Sequence, residues 1–116
     1  MKNMLKILSV CGLLTGFAML SPAASMTMTG MISDSMCGLS HAKMTAGHPG
    51  MTDRACTLAC VKGGAKYIFV SNGKIYQIAN QTLADLEKNA GENVSLTGDF
   101  NGQTVTIAKV MMERKK

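Results

Sequence analysis

Four residues carry most of the chemistry this chain can offer: Cys37, His41, Cys56 and Cys60. Cys37 and His41 stand four apart, as do Cys56 and Cys60, which gives a C-x3-H pair followed by a C-x3-C pair. Thiolate sulfur and imidazole nitrogen are donors that suit Zn²⁺ or Cu⁺, so one reading is a metal site of three thiolates and one imidazole. Met36, Met44, His48 and Met51 crowd the same stretch. Met44, His48 and Met51 are candidate accessory thioether or imidazole ligands, and the thioethers of the methionines move the preference to copper before zinc. The spacing is not that of a common zinc ribbon. A second reading is a disulfide from Cys37 to Cys56 or to Cys60. It would close a loop of about 20 to 24 residues and contribute roughly 3 kcal/mol, which matters in a small domain. A third is thiol redox chemistry at Cys56. A helix capped by Asp53 would put this thiol in its first turn, where free amides lower a thiol pKa. The x3 spacing departs from the x2 of thioredoxin-like motifs, and no Ser/His/Asp set, paired catalytic carboxylates, phosphate loop or HExxH appears. A non-catalytic role is expected.

Compartment weighs between these readings. Lys2 and Lys6 precede an apolar run, Ile7 to Leu20, that ends in Ser21-Pro-Ala-Ala-Ser25. This is the pattern of a signal peptide over residues 1–25, whose apolar run of 14 residues falls short of the roughly 20 of a membrane span and is ended by Pro22. Export to a periplasmic or secreted location is expected, with no stable membrane anchor after cleavage. Cys11 lies inside the signal and is lost with it. Three cysteines then remain, an odd number for an oxidising compartment, so one thiol must be unpaired, shared or ligated. Export favours the bridge over the metal. Without Lys2 and Lys6 the mature chain keeps ten basic residues against seven acidic ones, much of the excess in Arg114, Lys115 and Lys116. So slight an excess on an exported chain makes nucleic acid an unexpected partner.

The elements that must position these residues follow from periodicity. Met26 to Ile32 alternates as a half-buried strand, and from Asp34 to Met51 the alternation stops, leaving a long loop that needs a staple. Thr52 or Asp53 can cap a short helix running to about Lys62, closed by Gly63 and Gly64. Lys66 to Val70 and Lys74 to Ala79 read as strands joined at Asn72-Gly73, the pair that supplies both positive φ angles of a type I′ turn. Leu83, Leu86 and Ala90 recur at helical spacing behind Asn80 as a cap, with Gly91 as stop. Val94, Leu96 and Phe100, a tight turn at Asn101-Gly102, then Val105 and Ile107 form a second hairpin. Five strands, one helix between the third and fourth, and a Cys-bearing loop and helix between the first and second predict a mainly β domain over 26–116. The order is that of a small five-stranded OB-fold-like barrel.

The run Gly30-Met-Ile-Ser-Asp-Ser-Met-Cys37-Gly, His41, and Cys56-x3-Cys60-x3-Gly64-x2-Tyr67 resembles a family of small exported bacterial proteins of unknown function. Gly73-Lys-Ile-Tyr76 and Val94-x3-Gly98 look similar too. The resemblance implies a signal peptide, an OB-like barrel and a C-G-x-x-H plus C-x3-C insertion, and it names no activity. The expectation is a small exported binding or scaffold protein, disulfide-stapled, whose partner is a small ligand, a metal ion or a protein. The alternatives are a periplasmic metal binder using Cys37, His41, Cys56 and Cys60, and a thiol redox protein.

Overall fold

The structure, a computed structural model, describes residues 25–42 and 47–113 together with Gly12. Apart from Gly12 and Ser25, the segment expected to be a signal peptide lies outside the described residues, as does Met44. The fold is mainly β. Strands β1 (Ser25–Asp34), β2 (Tyr67–Ser71), β3 (Lys74–Ile78), β4 (Asn93–Asn101) and β5 (Thr104–Met112) are joined by helices α1 (Asp53–Lys62) and α2 (Ala84–Lys88). The five strands form one sheet that closes on itself in the order β1-β2-β3-β5-β4. All pairs are antiparallel except β3 with β5, where Gln77 meets Thr104 and Ile78 meets Val105. No helix among the described residues is long and apolar enough to cross a membrane.

The alternation read in the sequence becomes the core. Ile32, Phe69, Ile78, Val94, Leu96, Val105 and Ile107 point inward, and Leu86 and Ala90 of the α2 region plug the ring. Phe69, Tyr76 and Phe100 form an aromatic trio, with Tyr76 and Phe100 edge to face at 5.2 Å between centroids. Such pairs add about 0.5–1.5 kcal/mol beyond the area they bury. The aromatics of the β2–β3 hairpin are thus core.

Two local readings shift. Asn72 (φ 51°) and Gly73 (φ 74°) make the expected two-residue turn between Ser71 and Lys74. In the second hairpin, Asn101 pairs with Thr104, so the loop residues are Gly102 and Gln103 rather than Asn101 and Gly102. Gly102 (φ 61°) takes the positive angle at the first loop position, as a type II′ turn requires. Asn80 is not the cap of α2, whose N-cap is Leu83 without a side-chain bond. Its amide instead donates to the Ile107 carbonyl at 2.8 Å and accepts from the Ile107 amide at 2.9 Å. A tertiary partner for both ends of the amide outweighs a single capping bond.

Helix α1 follows its sequence closely. Thr52 caps it by accepting from the Ala55 amide at 3.1 Å, and Gly63 ends it. Its docking depends on Gly91, whose φ is +72° and whose amide donates to the Ile32 carbonyl at 2.7 Å. A Cβ at Gly91 would overlap the backbone of Asp53 and Arg54 at the start of α1. Arg54 then reaches the Lys88 carbonyl at 2.8 Å, tying α1 to the end of α2.

Candidate metal centre

The insertion between β1 and α1 begins with Asp34, the last residue of β1 and fully buried. One carboxylate oxygen, Oδ2, accepts from the Met36 amide at 3.1 Å and the Cys37 amide at 3.0 Å. This Asx turn folds the chain back and sets Cys37 beside the start of its own loop. The Gly38 amide donates to the Asp34 carbonyl at 3.1 Å, and Ser35 and Lys66 exchange two bonds across the insertion's base. Oδ1 of Asp34 stands 3.1 Å from Nε2 of His41. Ser33 Oγ at 3.2 Å and Thr57 Oγ1 at 3.0 Å approach the same nitrogen. His41, itself buried, thereby joins β1 to α1, and its Nδ1 lies 3.6 Å from the carboxylate of the exposed Asp53. No buried side-chain nitrogen or oxygen among the described residues lacks a partner.

The thiols close around this polar knot. Cys56 and Cys60 share the buried face of α1 with Thr57, and Cys37 reaches them from the loop. The sulfurs of Cys37 and Cys56 are 3.6 Å apart, and all three thiols are free. A disulfide requires about 2.05 Å, so the bridge from Cys37 to Cys56 or Cys60 expected from the sequence is not formed. The order a covalent staple was needed to supply comes from Asp34 and His41, which bind loop, strand and helix together. Two donor sets result. Cys37, His41 and Cys56 offer ligand atoms all within 4.8 Å of one another, and so do Asp34, Cys37 and Cys60. Cys37 belongs to both.

Burial governs the charge state of the sulfurs. Desolvation pushes the Cys37 thiol far up, helped by its contact with Cys56 and by the Asp34 carboxylate. Cys60 is raised by the same burial and by Asp34. Two thiols held in their protonated form are the opposite of an activated nucleophile. Thr52, not Asp53, caps α1, and the Cys56 amide donates to the Thr52 carbonyl at 2.9 Å. Cys56 thus sits beyond the unbonded amides of the first turn, which removes the helix-terminus argument for a reactive thiol.

Of the accessory ligands, His48 is exposed and belongs to neither donor set, and Met51 precedes the cap residue Thr52. Asp34 was not among the residues singled out by spacing. Its signal was an Asp three positions before a Cys at the end of a strand, the offset at which a carboxylate caps the following amides. No protein-family model, curated protein or solved structure matches the chain. The reading of this centre therefore rests on its own atoms.

Proposed function

We propose that the protein binds a soft metal ion through Cys37, Cys56, Cys60 and His41, with copper before zinc, and holds the ion without catalysing a reaction on it. The observation that carries this reading is the pair of donor sets meeting at Cys37, each with its ligand atoms within 4.8 Å. A tetrahedral metal with bonds of about 2.3 Å to sulfur separates its thiolates by about 3.8 Å. The 3.6 Å between Cys37 and Cys56 is close to that edge and far from a bond. Binding through three cysteines releases three thiol protons, those of Cys37 and Cys60 being held in place by burial, so affinity rises with pH. A metal claims one nitrogen of His41 while a carboxylate beside the ring orients it, as in other carboxylate–histidine–metal sets. Asp34 serves either as that orienting group or as a further ligand. Thioethers of Met36 and Met51 in the surrounding chain support the ordering of copper ahead of zinc.

Within the same proposal the ring is an OB-like barrel, supported by its strand order and its parallel β3–β5 closure. The chain is an exported, periplasmic or secreted protein akin to the small bacterial family it resembles, supported by the first 25 residues of the sequence. N-terminal sequencing of the exported form should begin between Ala24 and Met26, and Met1 at that terminus would refute export with cleavage.

The direct test is anaerobic titration of the reduced protein with Cu⁺ and with Zn²⁺. Tight binding at the thiols is expected, with Cu⁺ displacing Zn²⁺, loss of the tight equivalent in Cys37→Ser and weakening of about 10- to 100-fold in His41→Ala. A Cys37→Ser/Cys56→Ser protein that binds like the unaltered one would overturn the assignment.

A further inference from the structure

Three methionines line one cleft, two of them exposed. Met111 is 53% exposed and Met112 61% exposed, although both lie in a strand of the ring. With Met31 they line a cleft of about 1170 Å³ to which Asp53, Glu92 and Glu113 also contribute. Strand pairing accounts for the gathering. Met31 of β1 lies opposite Asn93, whose carbonyl accepts from the Glu113 amide at 3.1 Å, and Met111 lies opposite Ser95. Val94 and Leu96 are buried, so Asn93 and Ser95 belong to the outer face. Met31, Met111 and Glu113 consequently rise from one side around the beginning of β4, whereas Met112, opposite the buried Val94, belongs to the other face and meets the cleft only at the end of its strand. None of the described residues lining the cleft is Lys or Arg, although the chain carries a formal charge of +5.

Thioethers are poor ligands for hard cations and good ones for soft, weakly hydrated ions, and carboxylates add an attraction for positive charge. We propose that this cleft is a second metal site, a thioether and carboxylate port that captures Cu⁺ and passes it to the thiol centre. The inference rests on the metal-binding reading of that centre and adds the route by which the ion arrives. Asp53 connects the two, since it lines the cleft and its Oδ1 lies 3.6 Å from Nδ1 of His41. The transfer involves no change of oxidation state. Cu⁺ leaves thioether sulfur, each thiol that binds it loses its proton to solvent, and a copper–thiolate bond forms in place of the S–H bond.

Two readouts on the reduced, oxygen-free protein test the port. Cu⁺ supplied from a bicinchoninate buffer gives the stoichiometry, and NMR of ¹³C-methyl methionine with Ag⁺, a redox-stable analogue, identifies the sulfurs. The unaltered protein should bind one tight and one weaker equivalent, and the methyls of Met31 and Met111 should shift. Met31→Leu/Met111→Leu, which nearly conserves side-chain volume, should lose the weaker equivalent and load the thiol centre more slowly. Cys37→Ser/Cys56→Ser should lose the tight equivalent and keep the methyl shifts. Unmoved methyls, equal shifts with Zn²⁺, or unchanged stoichiometry in the leucine variant would overturn the port and leave the thiol centre standing. Retention of the tight equivalent in the cysteine variant would instead overturn the thiol centre and the delivery role.

Discussion

Around Phe69, ten buried apolar side chains from strands and the α2 region interlock, and each contributes by the area it removes from water. Around His41, four oxygens of Ser33, Asp34, Thr57 and Asp53 crowd one ring, and the apolar contribution is small. Helix α1 belongs to both regions. It leans Leu58 and Val61 on the core yet turns its fully shielded face, Cys56, Thr57 and Cys60, to the polar knot. The ring is therefore stabilised by many interchangeable contacts and the insertion by a few that cannot be exchanged. Losing one apolar contact weakens the ring by degrees. Losing one acceptor in the insertion strands several donors together, because a buried unpaired group costs about 1–3 kcal/mol.

The sharpest way to separate the two regions is to damage each in turn. Phe69→Ala should lower stability the most, by about 3–5 kcal/mol in denaturant unfolding, since it empties the middle of the ring. A loss below 1 kcal/mol would mean that Phe69 is not central to the core. Asp34→Ala should cost about 3 kcal/mol and act locally, releasing the Met36 and Cys37 amides and His41 at once. Hydrogen exchange should then show those amides and the start of α1 opening while β4 and β5 stay protected. Uniform loss of protection would show that ring and insertion are one cooperative unit. Gly73→Val should cost about 1–2 kcal/mol, because a β-branched residue resists the positive φ of that turn, without altering metal binding.

The metal-free protein should also respond to pH through its thiols. Cys37 and Cys60 are raised in the folded state, so their favourable contribution is complete below the free-thiol value of 9.0 and is lost as pH climbs above it. The melting temperature should fall over about pH 9 to 10, and less so in Cys60→Ser. An identical decline in that variant would assign the effect elsewhere. The smallest effect expected is at His48, which is exposed and outside both donor sets. His48→Ala should leave melting temperature and metal affinity unchanged, and a clear loss of affinity would enlarge the centre to include it.

Legibility from sequence follows the same division. Signals that act between near neighbours were readable: Thr52 as cap, Gly63 as stop, Asn72-Gly73 as turn, and the alternation of Val94 with Leu96. Asn101-Gly102 was misplaced by one residue because glycine suits a tight turn at either loop position, and the Asn101–Thr104 pairing selects between them. A register shift at Thr97 and Gly98 changes that strand pair, and no local pattern announced it. The grouping of Cys37 with Cys56 and Cys60 was readable as donor chemistry, whereas the choice between bridge and free thiols depends on a distance. From sequence, Asn80 reads as a helix cap and Asp34 as the start of a loop, both local readings. Their roles come from partners at His41 and Ile107, which only the folded chain brings within reach.

Gly91 lies far along the chain from every sulfur, yet the absence of its side chain is what lets Asp53 and Arg54 settle where they do. Transplanting the stretch from Asp34 to Cys60 onto another scaffold would accordingly carry the donors without the seat on which their helix rests. A graft that also provides a glycine-backed ledge beneath the first turn of α1 is the minimum portable form of this centre. Shorter grafts should deliver thiols that no longer meet.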